Sequence, residues 1–454
     1  MAWNTCTRYI VRTASASTWT CGAPARGAAA AGTRCLPEPP QPKPETAPLS
    51  LQELNSTRRG VLRGTAAAAG LLAAPAILRA QPAPVKLGIL QPITGALAQD
   101  GELGRLGAQL AIDEINEAGG LQALGGARIE MVFADARSNP EAATQEVERL
   151  QGEGVAAIVG GFASPICLAA SQAASRYGLP YIVDVGVSDQ IVQRGLANTF
   201  RFAPGFGTVG SVALDNLTKL NDAAGKPART VVLVHEDGLF GSGLAKLMQT
   251  ELPKRGFAIL ETIAHPTPAR DMSNVALRIR ALNPDLVIPS SYYSEFVLLA
   301  RTMRQQRIRP KGIYCVLNGA ASNYRFVKEF PEAASGVMDC NHWADPRSPK
   351  TIALKQRLQD AGKLWAYNVP LNYSCVGLVA DAIERAKSPD CAAVTEALAA
   401  STYSGHIMPY GPTRFVNGQN QGAAPVNTQV QDGDIKVIFP DAFADAKPAF
   451  PLKN

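Results

Sequence analysis

A serine that directly follows a short apolar strand is well placed to bind a ligand. The apolar run Ala156–Val159 leads into the segment Gly160–Pro165, and helical spacing begins at its end. Serine is favoured at a helix N-cap and proline in the first helical turn. Free amides at a helix start bind carboxylates. The sequence therefore predicts either an anion-binding hydroxyl at Ser164 or a serine that only caps its helix.

Motifs of known catalytic or metal sites are missing from this sequence. It contains neither G-x-x-x-x-G-K-[ST] nor H-E-x-x-H, and Ser164 lies in Gly-Phe-Ala-Ser-Pro rather than Gly-x-Ser-x-Gly. The glycines Gly101, Gly104 and Gly107 recur every three residues, which suits close helix packing better than phosphate binding. We therefore expect a protein that is not an enzyme and that holds no metal or cofactor. The histidines lack metal-ligand spacing: His235, His265, His342 and His406.

The positive charge of the chain is concentrated at its N-terminal end. The 454 residues carry 44 Lys and Arg against 38 Asp and Glu, a formal net charge of +6. Residues 1–80 hold nine of these bases and three of the acids, so residues 81–454 hold 35 of each. A nucleic-acid-binding protein normally keeps a basic surplus on its folded domain, so we expect no nucleic-acid partner.

The N-terminal segment is typical of an export signal. The basic stretch Ser56–Arg63 contains the pair Arg58-Arg59 and precedes an alanine-rich apolar stretch, Gly64–Ala74, with small residues after it. This order indicates a secretory signal, and the paired arginines indicate the twin-arginine type. The apolar stretch is shorter than the roughly 20 residues of a membrane helix. We expect a leader over residues 1–80, a periplasmic location and no membrane span in the mature chain.

The cysteines fit folding in a reducing compartment before export. Five cysteines follow the leader, and their odd number and irregular spacing give no disulfide framework or C-x-x-C motif. We expect mostly buried thiols, with at most one disulfide, among Cys167, Cys315, Cys340, Cys375 and Cys391.

Hydrophobic patterning predicts strands and helices in alternation from Val85 onward. Short apolar runs such as Val85–Leu90 alternate with helical spacing, as in Leu103–Ala118, and the rhythm restarts after Phe200–Phe202. This alternation is typical of parallel βαβ units, and the chain is longer than one sheet needs. The pattern predicts an α/β protein with two doubly wound lobes.

The last third of the sequence is predicted to complete both lobes rather than to form a third domain. We expect lobe 1 to comprise residues 84–203 and 340–412, and lobe 2 to comprise residues 204–339 and 413–445. The chain then crosses three times between lobes, which makes a three-segment hinge that can close on a ligand.

Four segments resemble periplasmic solute-binding proteins of the branched-chain amino acid type. They read VKLGILQPITGALAQDGELGRLGAQLAIDEINEAGGL, AAIVGGFASPICLAASQAASRYGLPYIV, VLVHEDGLFGSGL and, near the C-terminus, GQNQGAAPVNTQVQDGDIKVIFP. The resemblance covers essentially all of residues 84–445. It implies the type I periplasmic-binding-protein fold and the role of a receptor for an ABC importer.

The resemblance also implies a set of ligand-binding residues. Ser164 matches the hydroxyl that takes the ligand carboxylate at a helix start, and Phe240 matches a pocket aromatic before a glycine. Tyr292 lies where the family places a tyrosine after the third strand of its second lobe. The sequence departs from the pattern at Val187, the position of a family threonine, with Ser188 one residue later. The predicted ligand-binding residues are Phe162, Ala163, Ser164, Val185, Val187, Ser188, Phe240, Tyr292, Asn318 and Trp343.

A second departure concerns the ligand ammonium. Asn318 falls near the position where amino-acid binders of this family carry a glutamate that pairs with the ligand ammonium. A desolvated ammonium without a negative partner costs several kcal/mol. Unless Asp184 or Asp237 substitutes, an uncharged amide, a urea-like compound or an aromatic or aliphatic acid is as good a candidate as leucine. Trp343 and Tyr373 are expected either to add aromatic walls or to pack in the core.

These observations together predict an exported substrate-binding protein of an ABC importer. It would capture a small organic solute, such as an amino acid, amide, urea-like compound or organic acid, by closure of two lobes. Its partners would then be a membrane permease and an ATPase. The alternative is a ligand sensor of the same fold that acts on a regulatory or signalling partner; the export signal favours transport.

Overall fold

Two seven-stranded sheets form the framework of the protein in a computed structural model, which describes residues 82–452. The first sheet consists of β1 (Val85–Gln91), β2 (Ile129–Asp135), β3 (Ile158–Gly160), β4 (Tyr181–Val183), β5 (Thr199–Arg201), β11 (Phe415–Val416) and β12 (Gln419–Asn420). The second consists of β6 (Thr230–Glu236), β7 (Ala258–His265), β8 (Leu286–Ser290), β9 (Gly312–Val316), β10 (Met338–Asn341), β13 (Val426–Gln431) and β14 (Asp434–Phe439). The strand order is β11-β12-β5-β4-β3-β1-β2 in the first sheet and β14-β13-β10-β9-β8-β6-β7 in the second.

The central strands of both sheets run parallel and are joined by helices, so the predicted two-lobed α/β class is confirmed. Strands β3 and β4 are buried along their whole length, as expected for parallel strands that helices cover on both faces. The helices are α1 (Ala98–Glu117), α2 (Pro140–Gly152), α3 (Ser164–Arg176), α4 (Phe206–Ala223), α5 (Leu239–Glu251), α6 (Ser273–Leu282), α7 (Tyr293–Gln305), α8 (Tyr324–Glu329), α9 (Pro331–Ala334), α10 (Pro349–Asp360), α11 (Asn368–Ala386) and α12 (Cys391–Ala399).

The predicted leader and its twin-arginine signal lie outside the described residues. That signal therefore stays a prediction. Within residues 82–452, no helix is long and apolar enough to cross a membrane.

The glycine spacing in α1 serves close packing, as predicted. A Cβ atom at Gly101 would lie 2.2 Å from the carbonyl oxygen of Pro92, and one at Gly107 would lie 2.3 Å from that of Val369. A Cβ atom at Gly104 would also overlap the side-chain amide of Gln91. Helix α1 can therefore approach both the end of β1 and the start of α11 only with glycine at these positions.

The thiols of the described region are all free. Four cysteines are buried and Cys391 is half-buried. Burial raises the pKa of each of these thiols above its ordinary value, which keeps them protonated and unreactive. The expectation of mostly buried thiols is confirmed, and no disulfide joins cysteines within residues 82–452.

The third crossing between the lobes comes later than predicted. The predicted boundary after residue 412 is wrong, because β11 and β12 still belong to the first sheet, where β12 pairs with β5. The two strands form a hairpin around Asn417 and Gly418, which both have positive φ, 49° and 75°. An Asn-Gly pair between two strands is a strong sign of a two-residue hairpin, and here it holds the chain in lobe 1 until Asn420.

The two lobes are packed against each other. Residues of α7 in the second lobe, such as Phe296, share one apolar cluster with Ile166 and Phe162 of the first lobe. An antiparallel bridge also joins the lobes: the Tyr324 amide donates to the Trp365 carbonyl (3.1 Å) and the Tyr367 amide donates to the Ser322 carbonyl (3.2 Å). We call this contact the interlobe bridge. The structure is therefore a closed conformation.

The side chain of Arg201, at the end of β5, connects the chain segments that lead into the first and the third crossing between the lobes. Its guanidinium donates to the carbonyls of Val187 (2.8 Å) and Ser188 (2.7 Å), to Asp189 (2.8 Å) and to Gln419 in β12 (2.6 Å). The side chain is only 2% exposed. Burial lowers the pKa of Arg201, while Asp189 opposes that shift.

We predict that Arg201→Leu lowers the free energy of unfolding by about 3 kcal/mol, because it removes the hydrogen bonds that the buried guanidinium donates to two carbonyls, to Asp189 and to Gln419. Urea unfolding followed by circular dichroism measures this loss. The control is Arg105→Leu, which removes an exposed ion pair with Glu102 and should cost less than about 0.5 kcal/mol. Equal losses of unfolding free energy in the two variants would contradict the stabilising role of the buried Arg201 guanidinium.

Candidate functional site

A narrow cleft lies between the two lobes, at the ends of the strands that were predicted to carry the site. Its cavity volume is about 20 Å³, close to what one water molecule requires. A larger ligand therefore enters only when the lobes separate or the lining side chains turn. The cleft is lined by Phe162, Ser164, Val185, Val187, Phe240, Tyr292, Leu317, Gly319, Asn341, His342 and Tyr367.

The turn after β3 sets the first wall of the cleft. Gly160, Gly161 and Phe162 all have positive φ, and a Cβ atom at Gly160 would lie 2.1 Å from the carbonyl oxygen of Leu90. For Phe162 this conformation costs about 1 kcal/mol. The buried carboxylate of Asp184 compensates by accepting the Phe162 amide at 3.0 Å. The turn thereby places the Phe162 ring at the cleft.

The second lobe repeats this arrangement after β9. Leu317 lines the cleft with a φ of 55°, and the next amide, of Asn318, donates to the buried carboxylate of Asp339 at 3.2 Å. Asp339 also accepts from the Ser322 hydroxyl (2.7 Å) and from the Asn341 side chain (2.9 Å). One buried aspartate in each lobe therefore fixes a turn that faces the cleft.

Ser164 does not cap its helix. The N-cap of α3 is Ala163, and no side chain caps the helix start. The Ser164 hydroxyl oxygen instead accepts the Ser188 amide at 3.1 Å, which joins the turn after β3 to the loop after β4. The hydroxyl proton remains available, and the serine is buried at the cleft. The capping alternative is therefore wrong, and the anion-binding role of Ser164 stays a prediction.

Three aromatic rings meet across the cleft. The Tyr292 ring centroid lies 5.8 Å from that of Phe162 in the other lobe and 5.4 Å from that of Phe240. These distances are typical of favourable aromatic pairs. The rings fill the space between the lobes and offer an apolar surface to a ligand.

Six of the ten predicted residues line the cleft, and four do not: Ala163, Ser188, Asn318 and Trp343. The Asn318 side chain accepts the amides of Ala320 and Ala321, so it shapes its own loop. Trp343 stacks on Tyr324 with 6.4 Å between ring centroids. Ser188 contacts Ser164 through its backbone, and Ala163 ends the turn before α3.

Tyr373 also lies away from the cleft. Its hydroxyl donates to Glu114 of α1, and the Lys350 ammonium lies 5.1 Å from its ring centroid. The aromatic wall expected from Trp343 and Tyr373 is supplied by Tyr367 instead.

Sequence reasoning missed five lining residues: Leu317, Gly319, Asn341, His342 and Tyr367. Asn341 is the last residue of β10 and His342 comes directly after it. Sequence patterning did not predict this strand, because its four residues, MDCN, are half polar. The rule that ligands bind after parallel strands would have found both residues once β10 was known. Tyr367 lies before α11 and had no such signal.

The cleft is electrically neutral. Within the described part of the chain, no carboxylate, ammonium or guanidinium group belongs to the side chains that line it. Asp184 accepts from the side chains of Gln91 (2.8 Å) and Asn372 (3.0 Å), besides the Phe162 amide, and Asp237 is exposed. Neither aspartate replaces the family glutamate at the cleft wall.

The carboxylate of the nearby Glu236 also does not line the cleft, because it accepts hydrogen bonds from backbone amides. Its carboxylate accepts the amides of Gly238 (2.7 Å) and Gly241 (2.9 Å) at the start of α5. Burial raises the pKa of Glu236 in spite of these donors. It therefore stabilises the helix start that presents Phe240.

Comparison with known proteins places this architecture in a family. The Periplasmic binding protein family matches residues 84–434. The chain belongs to this family. Among curated relatives, the Leu/Ile/Val-binding protein homolog 7 of Brucella melitensis is 28% identical over 384 residues. The alignment covers 81% of this chain and 94% of that protein.

Solved structures share the fold of this binding protein. The branched-chain amino acid transporter substrate binding protein LivJ from Streptococcus pneumoniae, in complex with isoleucine, aligns with a TM-score of 0.68 at 23% identity, covering 79% of this chain and 100% of that one. A solute binding protein from R. palustris, in complex with benzoate, has a TM-score of 0.68 at 20% identity, covering 82% and 100%. The two lobes thus have the type I periplasmic-binding-protein fold.

The buried Asp339 makes stability depend on pH. Burial raises its pKa from 3.8 to about 7, although three donors oppose the shift. The folded state therefore binds more protons than the unfolded state between about pH 4 and pH 7, so this group stabilises at low pH and loses that effect as the pH rises.

We predict that the stability of the native protein relative to Asp339→Asn falls as the pH rises from 5 to 7.5, by up to about 1 kcal/mol per pH unit. Urea unfolding of both proteins at four pH values checks this difference, which cancels the contributions of other groups. If the free energy of unfolding changed with pH in the same way in both proteins, Asp339 would not be the cause of the pH dependence.

Proposed function

We propose that this binding protein is exported, captures a small carboxylic acid between its lobes and delivers it to the permease and ATPase of an ABC importer. The observation that carries the proposal is the Ser164 hydroxyl, buried at a helix start in a cleft without charged side chains. Membership of the periplasmic binding protein family supports the binding role. The paired arginines of the leader support export.

Ser164 and α3 provide the groups that hold a carboxylate. The Ser164 oxygen already accepts from the Ser188 amide, so its proton is free to donate to an anion. The first amides of a helix have no acceptor within the helix and carry a partial positive charge. Together they neutralise a carboxylate without an arginine or lysine at the cleft.

The remainder of the ligand is uncharged and largely aromatic or aliphatic. A buried ammonium would need a carboxylate partner, and the side chains lining the cleft provide none in the described region. Phe162, Phe240 and Tyr292 instead surround the ligand with aromatic surface. The cleft therefore fits an aromatic or branched aliphatic acid better than leucine. The R. palustris relative, solved with benzoate, shares the fold and supports this ligand class.

Capture works by closure of the lobes. Lobe 1 contributes the carboxylate site at Ser164, and lobe 2 contributes Phe240 and Tyr292, so a ligand contacts both lobes only in the closed state. Such a ligand shifts the population from open to closed by its differential affinity. The closed form is then the one that a permease would recognise.

A titration with matched acids tests this proposal. We expect benzoate and 4-methylpentanoate to bind the native protein, and leucine, which adds an ammonium to the same aliphatic body, to bind at least about 10-fold more weakly. Ser164→Ala should weaken binding of both acids by about 10- to 100-fold, since hydrogen bonds to charged groups are the strong ones. Isothermal titration calorimetry measures all of these affinities.

The matched control is Ser175→Ala, on the same helix. The Ser175 hydroxyl donates to the Gln172 carbonyl, away from the cleft, so its loss should leave acid binding unchanged. Leucine binding more tightly than 4-methylpentanoate would overturn the ligand class. Undiminished acid binding by a folded Ser164→Ala protein would overturn the role of Ser164.

A further inference from the structure

His342 is a buried polar residue of the cleft whose ring atoms have no partner. Its side chain is 1% exposed and lines the cleft directly after β10. Neither Nδ1 nor Nε2 has a hydrogen-bond partner within residues 82–452. The backbone amide, in contrast, donates to the Asn341 side chain at 2.8 Å. A buried polar group without a partner costs free energy that a matching ligand atom recovers.

The neighbours of His342 are not available to pair with it. The Asn341 amide group donates to the Asn318 carbonyl (3.0 Å) and to Asp339 (2.9 Å), and the Asn341 oxygen accepts from the His342 backbone. Tyr367 contacts the imidazole through its ring, with 6.5 Å between centroids. Within residues 82–452 both ring nitrogens are therefore open to a group that enters the cleft.

The imidazole of His342 is neutral at pH 7. Burial lowers its pKa to about 3, and the buried guanidinium of Arg201 opposes a second positive charge. A neutral imidazole has one nitrogen that donates and one that accepts. It therefore suits an uncharged group that both donates and accepts, because a carboxylate, which only accepts, can pair with just one of the two nitrogens.

We propose that His342 binds a hydroxyl group of the ligand, separate from the carboxylate held at Ser164, and so selects hydroxylated acids. A hydroxyl both donates and accepts, so it matches either nitrogen of the neutral ring. An acid without this hydroxyl leaves the imidazole buried and unpaired, which is how polar sites discriminate against analogues. This inference rests on the proposed function, because it names a second group on the same acid.

The test compares parent acids with their hydroxylated forms. The probes are benzoate, the three monohydroxybenzoates, 3-phenylpropionate, 3-(4-hydroxyphenyl)propionate and the diacid terephthalate. We expect at least one hydroxylated acid to bind the native protein about 10-fold or more tightly than its parent. His342→Phe should reduce this preference to less than about 3-fold.

His342→Gln provides the matched variant, because an amide keeps a neutral donor and acceptor and should retain most of the preference. Thermal melting shows whether each variant is folded. If His342→Phe does not fold, His342→Ala takes its place and should abolish the preference for the hydroxylated acid.

The outcomes separate this inference from the proposed function. Parent acids that bind, with no hydroxylated acid binding more tightly, overturn the inference and leave the proposed function standing. A preference that survives in His342→Phe, or terephthalate as the best ligand, also overturns the inference. Failure of every acid to bind the native protein overturns the proposed function and the inference together.

Discussion

Two buried carboxylates, one in each lobe, hold the turns from which the cleft is built. Asp184 accepts the Phe162 amide and Asp339 accepts the Asn318 amide, next to residues with positive φ. Without these acceptors the two turns would leave amides unpaired in a dry interior, which folded proteins avoid. Because parallel strands end at one edge of a sheet, the anchored turns place the cleft residues side by side in each lobe.

The closed state depends on contacts of only moderate strength. The aromatic contacts between Tyr292 and Phe162 and the interlobe bridge at Tyr324 and Tyr367 connect the lobes away from the covalent crossings. Each such contact contributes on the order of 1 kcal/mol. A ligand that adds a few contacts of similar size to both lobes can therefore decide between open and closed.

Sequence patterning predicted the two lobes and the polar turns of the first one, because apolar strands followed by glycine and serine have strong local signals. It missed β10 because the strand is short and half polar, and it therefore did not predict that Asn341 and His342 line the cleft. The third crossing was placed too early because the Asn417-Gly418 hairpin was not recognised. Asn318 was assigned by position along the chain, whereas its side chain folds back onto the amides of its own loop.

Hydrogen exchange at the interlobe bridge measures ligand-driven closure most directly. The amides of Tyr324 and Tyr367 pair only across the lobes, so their exchange reports opening rather than unfolding of either lobe. Saturating benzoate should slow deuterium uptake at both amides by about 10-fold or more, as expected for a ligand held by both lobes. Unchanged uptake at both positions, with benzoate shown by calorimetry to be bound, would contradict closure on the ligand.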